Sequence, residues 1–213
     1  MVSVLMAVVC LCLLGLAVEA ARTRTPVGIA LAVLTVGLAY DNGAIAVGSV
    51  LGFGDALEAV NVPRYWIHAL FTPLLVVIGA LLARRLGVSV GTPVLAGAGV
   101  LAAVLVVLGL VTEAFGLHLK PETYADALRY VHAEPGGPPM AAIATIIVLG
   151  VIGAVVWRKA GVPWLFAGAV TMFVAAGVGF AHFWISNLGE LVLQTGIVAT
   201  LVGSTRALPV KTH

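Results

Sequence analysis

Gly91–Thr112 reads GTPVLAGAGVLAAVLVVLGLVT, twenty-two residues without a charged or amide side chain. At about 1.5 Å per residue, some 20 apolar residues in a helix cross the hydrocarbon core of a bilayer, so this stretch predicts a transmembrane helix. Its Leu, Val, Ala and Gly follow one another without strict alternation, which excludes a barrel strand.

Working outward, comparable runs recur at about 2–21, 26–51, 65–83, 140–157, 163–186 and 188–204, which with 91–112 makes seven spans. Over all 213 residues the chain is 62% hydrophobic and 9% charged, far from the roughly 25% charged residues of soluble domains. The expected fold is all-α: a seven-helix bundle in one transmembrane domain covering 1–213, a multi-pass protein of the cell membrane whose surroundings are the lipid bilayer. Only two connections, 52–64 and 113–139, have room for structure of their own.

The excess of Lys and Arg on cytoplasmic segments sets orientation. With the N-terminus outside, Arg22, Arg24, Arg84, Arg85, Arg158, Lys159, Arg206 and Lys211 fall inside, against Arg64, Lys120 and Arg129 outside. The expected topology is therefore N-terminus out and C-terminus in. The first span is expected to be retained rather than cleaved as a signal: Met1–Leu5 holds no basic residue, and cleavage near Ala21 would invert that count. The basic residues are spread over four inner segments, which argues against a nucleic-acid patch. Cys10 and Cys12 face different sides of the first span and say nothing of redox compartment. Gly28, Gly37, Gly97, Gly99, Gly168, Gly177 and Gly179 read as helix contact points.

Threaded this way, eight of the nine carboxylates and four of the five histidines gather at the outer face. The 52–64 connection, with Phe53, Leu57, Val60 and Val62 among Asp55 and Glu58, reads as a short amphipathic stretch at the interface. In 113–139, Pro121–His132 predicts a short helix with Pro121 in its first turn, ended by Pro135, Gly136, Gly137, Pro138 and Pro139. Together the two connections read as a lid over the outer end that would bring down His118 or His132; His213 belongs to the tail.

Spacing places polar side chains beneath that face. Asp41 lies 15 residues beyond Pro26, some 22 Å along its helix at about 1.5 Å per residue, and Asn42 follows it. Arg64, His68 and Thr72 recur every four residues on one face, above Pro73. His182 and Ser186 end the sixth span, a turn is expected at Ser186 and Asn187, and Glu190 and Gln194 open the seventh; Glu113 closes the fourth. Charges at membrane depth usually mark function. Asp41, His68, His182 and Glu190 form the candidate catalytic set, with Asn42, Arg64, Thr72, Glu113 and Gln194 as candidate binding residues. Asp41, His68 and His182 are also candidate zinc ligands, with water in an open position.

The simplest alternatives are structural. His68 and His182 stand among Tyr65, Trp66, Phe183 and Trp184, as in an interfacial aromatic belt, and Asp41 could pair with Arg64 or His68 merely to tie helices. Three functions stay open on this evidence: an intramembrane metal-dependent or acid–base enzyme acting on a lipid or other amphiphile, a transporter or small-molecule or ion-binding protein, and a structural subunit of a membrane complex. A carrier would need polar groups in the inner half, where Glu19 is the only carboxylate.

Tyr40-Asp41-Asn42 followed by Pro63-Arg64-Tyr65-Trp66-Ile67-His68-Ala69-Leu70-Phe71-Thr72-Pro73 resembles the signature of a family of microbial polytopic membrane proteins. The resemblance spans Tyr40–Arg85, implies no activity, and singles out Asp41, Asn42, Arg64, His68, Thr72 and Pro73. The chain departs from the seven-helix alkaline ceramidase and adiponectin-receptor-like hydrolases, since it has no HxxxH pair, and from microbial rhodopsins, since its seventh span holds no Lys.

Overall fold

In the computed structural model, which describes residues 1–134, 137–179 and 181–206, the Gly91–Thr112 run becomes helix α6 (Thr92–Gly109) and a π turn, Leu110–Ala114. Before it come α1 (Val2–Arg22), α2 (Pro26–Ala46), the single turn α3 (Gly48–Leu51), α4 (Asp55–Phe71) and α5 (Leu75–Arg85). After it come strands β1 (Leu119–Tyr124) and β2 (Ala127–His132), then α7 (Met140–Ala160), α8 (Trp164–Gly179) and α9 (Phe183–Arg206). Among the described residues six helical stretches are long and apolar enough to cross a membrane, and the 16-residue α8 makes a shorter seventh. Pro135, Gly136, Lys211 and His213 lie outside the described residues.

Helix ends follow local chemistry. The Thr25 hydroxyl accepts the Gly28 amide at 3.1 Å and Pro26 opens α2, the arrangement a helix N-terminus favours. Gly161, at φ 72°, ends α7 in the left-handed conformation that a residue with a Cβ avoids. Arg22, Arg84, Arg85, Arg158 and Lys159 occupy last helical turns at one end of the bundle; the hairpin β1–β2 lies at the other.

Three expected boundaries move. The 52–64 connection is mostly helix: α4 starts at Asp55, puts Asp55 and Glu58 in its first turn, passes through Pro63 and runs on to Phe71. Acidic groups at a helix N-terminus favour that early start. Pro73 then sits in a 3-10 turn, Thr72–Leu74, that joins α4 to α5. The expected turn at Ser186 and Asn187 is absent; α8 stops at Gly179, and both residues belong to the first turns of α9.

Pro121–His132 is no helix but an antiparallel hairpin, with Leu119 opposite His132 and Tyr124 opposite Ala127. A short isolated helix is marginal, whereas the strands bury Ala127 and Tyr130 and set Tyr130 edge-on to Phe53 at 5.9 Å. Ala125 turns the corner at φ 53°. Next to it, Asp126 binds the Val2 amide at 2.6 Å and the terminal ammonium at the start of α1. Chiefly through the ammonium and then the amide, its carboxyl is held down at about 2. Asp126's side of this tie is fully ionised above the ordinary carboxylate range and is lost as pH falls through about 2.

Glycines bring segments close, but not at every expected position. A methyl at Gly168 would stand 3.1 Å from Leu193 Cα, and one at Gly37 2.5 Å from the Phe71 ring. Around Gly97, Gly99 and Gly177 there is instead open space; small residues there are not helix contacts. The tightest approach is Gly48, where a Cβ would fall 1.7 Å from the Leu128 carbonyl oxygen of β2. Gly48→Ala is therefore expected to destabilise the hairpin's seat by about 1–3 kcal/mol, read as faster proteolysis within Leu119–His132 than in the parent.

Candidate functional site

Asp41 sits on the interior face of α2, 3% exposed. Arg64 on α4 donates through Nε to Asp41 Oδ1 at 2.6 Å and through Nη1 to Asn61 Oδ1 at 2.7 Å. Asn61, one helical turn before Arg64, donates to the Leu57 carbonyl and accepts the Tyr130 amide at 3.3 Å. The buried ion pair is thus anchored through α4 to the hairpin. One turn further along α4, His68 Nε2 lies 3.6 Å from Asp41 Oδ2, and its Nδ1 lies 3.4 Å from the Thr72 hydroxyl. The first distance is too long for a hydrogen bond, so Asp41 acts on His68 by charge.

α9 supplies the facing wall. Asn187 donates to Asn42 Oδ1 at 2.9 Å, while Asn42 donates to the Leu38 carbonyl at 3.0 Å. Glu190 follows on the same helix, 9% exposed and without an ion-pair partner among the described residues. One turn deeper, fully buried Gln194 accepts the Thr35 hydroxyl at 3.4 Å, and its Nε2 has no hydrogen-bond partner among the described residues. Helix α6 contributes through the π turn that ends it, in which the Phe115 amide reaches the Leu110 carbonyl at 2.8 Å. Such turns insert one residue and re-aim those beside it. Here Glu113 is presented to the interior while Phe115 packs edge-on against Trp66 at 5.4 Å.

These groups meet in a cavity of about 520 Å³. Asp41, Arg64, His68, Glu113 and Glu190 line its polar side; Ile143 and Ile146 of α7 with Met172 and Phe173 of α8 make an apolar wall. Phe173 is 52% exposed and Gly177 beside it is open, so this wall leads to the bundle's apolar flank. Below lies the main apolar cluster, including Leu31, Leu75, Ile78, Leu149, Leu193 and Ile197.

Five of the nine residues chosen from spacing therefore share the cavity: Asp41, Arg64, His68, Glu113 and Glu190. Asn42 holds Asn187 and Thr72 touches His68, both of which line the cavity, whereas Gln194 bonds Thr35 and neither of those two lines it. His182 does not join them. It is exposed in the link before α9, where its Nδ1 meets the Tyr124 hydroxyl at 2.6 Å and its ring lies tilted 6.4 Å from that of Trp184. Because the helix break precedes Phe183, this imidazole is turned toward the hairpin. The donor set Asp41, His68 and His182 is accordingly not assembled, and no group of three or more His, Cys, Asp or Glu side chains among the described residues is arranged to hold a metal ion.

The hairpin packs beside the cavity rather than over it. Arg129 lies over the Phe183 ring at 3.7 Å and pairs with Glu122, and His132 sits edge-on to Tyr65, but no strand residue lines the cavity. Asn61 and Asn187 were missing from the sequence-based set. Asn61 carried a usable signal, since it lies three residues before Arg64 on the same helix face. Comparison with protein-family models, with curated proteins and with solved structures finds no match to the chain.

Proposed function

We propose that this is a multi-pass protein of the cell membrane, N-terminus outside and C-terminus inside, whose outward cavity binds a lipid or other amphiphile and carries acid–base chemistry at its head group. The separation of the basic helix ends from the hairpin supports the orientation. The observation that carries the function is the two-sided lining of one cavity, with Asp41, His68, Glu113 and Glu190 facing Ile143, Ile146, Met172 and Phe173. An amphiphile matches that division, and the exposed Phe173 and open Gly177 mark the side from which it would enter out of the bilayer.

In this reading His68 and Glu190 are the catalytic pair, moving a proton to or from a head-group ester or amide. Asp41 is a positioning residue that offsets Arg64 and biases the charge of His68. Transport fits less well, because the interior between cavity and basic end is filled by the apolar cluster, and Thr200 and Ser204 donate to their own helix backbone.

Membranes containing wild type, His68→Ala or Glu190→Gln protein, incubated with a total lipid extract, test the proposal by mass spectrometry of the lipids. The expected result is conversion of one lipid class by wild type, slowed about 100-fold or more in both variants. Equal conversion by wild type and His68→Ala would remove the acid–base reading.

A further inference from the structure

The charges around the cavity do not balance. Three carboxylates, Asp41, Glu113 and Glu190, face two basic groups, Arg64 and His68. Arg64 is already engaged by Asp41 at 2.6 Å and Asn61 at 2.7 Å, and the basic atom His68 offers Asp41 lies at 3.6 Å. Glu113 and Glu190 have no ion-pair partner among the described residues, although Glu190 is nine-tenths buried. A buried carboxylate without a counter-ion is costly.

We infer that the ligand of this cavity is a cationic amphiphile: an ammonium head group seated between Glu190 and Glu113, with its alkyl chain along Ile143, Ile146, Met172 and Phe173. This rests on reading the cavity as an amphiphile site and adds the charge of the head group. An anionic head group would face two unpaired carboxylates, and a neutral one would leave Glu190 without a countercharge. The volume of about 520 Å³ lies within the roughly 300–1,000 Å³ of small-molecule sites, which suits one chain rather than a two-chain lipid.

Equilibrium binding of radiolabelled dodecylamine, dodecanoate and dodecanol to the full chain in nanodiscs, corrected for empty nanodiscs, tests the inference. Ethylammonium serves as the charge without the chain. Dodecylamine is expected to bind tightest, and Glu190→Gln to weaken it roughly 30-fold or more, far more than it weakens dodecanol. Glu113→Gln should weaken it in the same sense, and Glu58→Gln, away from the cavity, should not. The dodecanol result in each variant reports whether the cavity is still folded. Equal binding of the three probes, or a dodecylamine preference that survives Glu190→Gln and Glu113→Gln, would overturn the inference. Dodecanoate or dodecanol binding in place of dodecylamine would also overturn it while leaving the amphiphile reading intact. Ethylammonium binding as tightly as dodecylamine would overturn the amphiphile part, and no binding of any probe would overturn both.

Discussion

Asp41→Ala is expected to lower stability by about 3–5 kcal/mol, the usual loss when one partner of a buried ion pair is removed. Asp41 is 4% and Arg64 11% exposed at the side chain, so neither charge has water to fall back on. The variant leaves the Arg64 guanidinium held by Asn61 alone and strips His68 of its neighbouring carboxylate. Arg64→Met should cost a similar amount, for the mirror-image reason. The double variant Asp41→Ala, Arg64→Met should lose far less than the sum, because it removes both desolvated charges together. Reversible denaturation of the three proteins in one detergent gives the coupling directly; additive losses would mean that the pair is solvated and organises nothing.

The second large effect concerns Gly177, which lines the cavity with nothing within 4 Å of where a Cβ would be. Gly177→Phe is expected to fold normally, since a glycine inside a helix is unfavourable by roughly 1 kcal/mol relative to better helix formers. Its ring should fill the space beside Phe173 and abolish binding. Two residues on, Gly179 should behave in the opposite way. A Cβ there would lie 1.8 Å from the Ser186 hydroxyl and 3.0 Å from Ser186 Cβ, at the junction of α8 and α9. Gly179→Ala should therefore lower thermal stability. Paired melting and binding measurements separate the cases, and a Gly177→Phe protein that binds as wild type would mean the cavity is not the site.

The spans were readable because charge-free runs such as Gly91–Thr112 have few other stable structures. The polar wall was readable because Arg64 and His68 lie four residues apart, and Asp41 lies too deep to reach the surface easily. The hairpin was not. Its strands are fixed by pairing with each other and by contacts to Gly48, Phe53 and Asn61, which are distant in sequence and invisible to local propensity. Misplacing the α8–α9 break by a few residues carried His182 into the site and Asn187 out of it. The apolar wall left no trace either, since Ile143, Ile146 and Met172 would be equally at home facing lipid, a neighbouring helix or a cavity.

The most direct test is the lipid that accompanies the purified protein. Extraction and mass spectrometry of wild type and Gly177→Phe, washed identically in detergent, should recover about one equivalent of a single amphiphile from wild type and little from the variant. Equal amounts from both, or only a proportional sample of bulk membrane lipid, would contradict a cavity that holds an amphiphile.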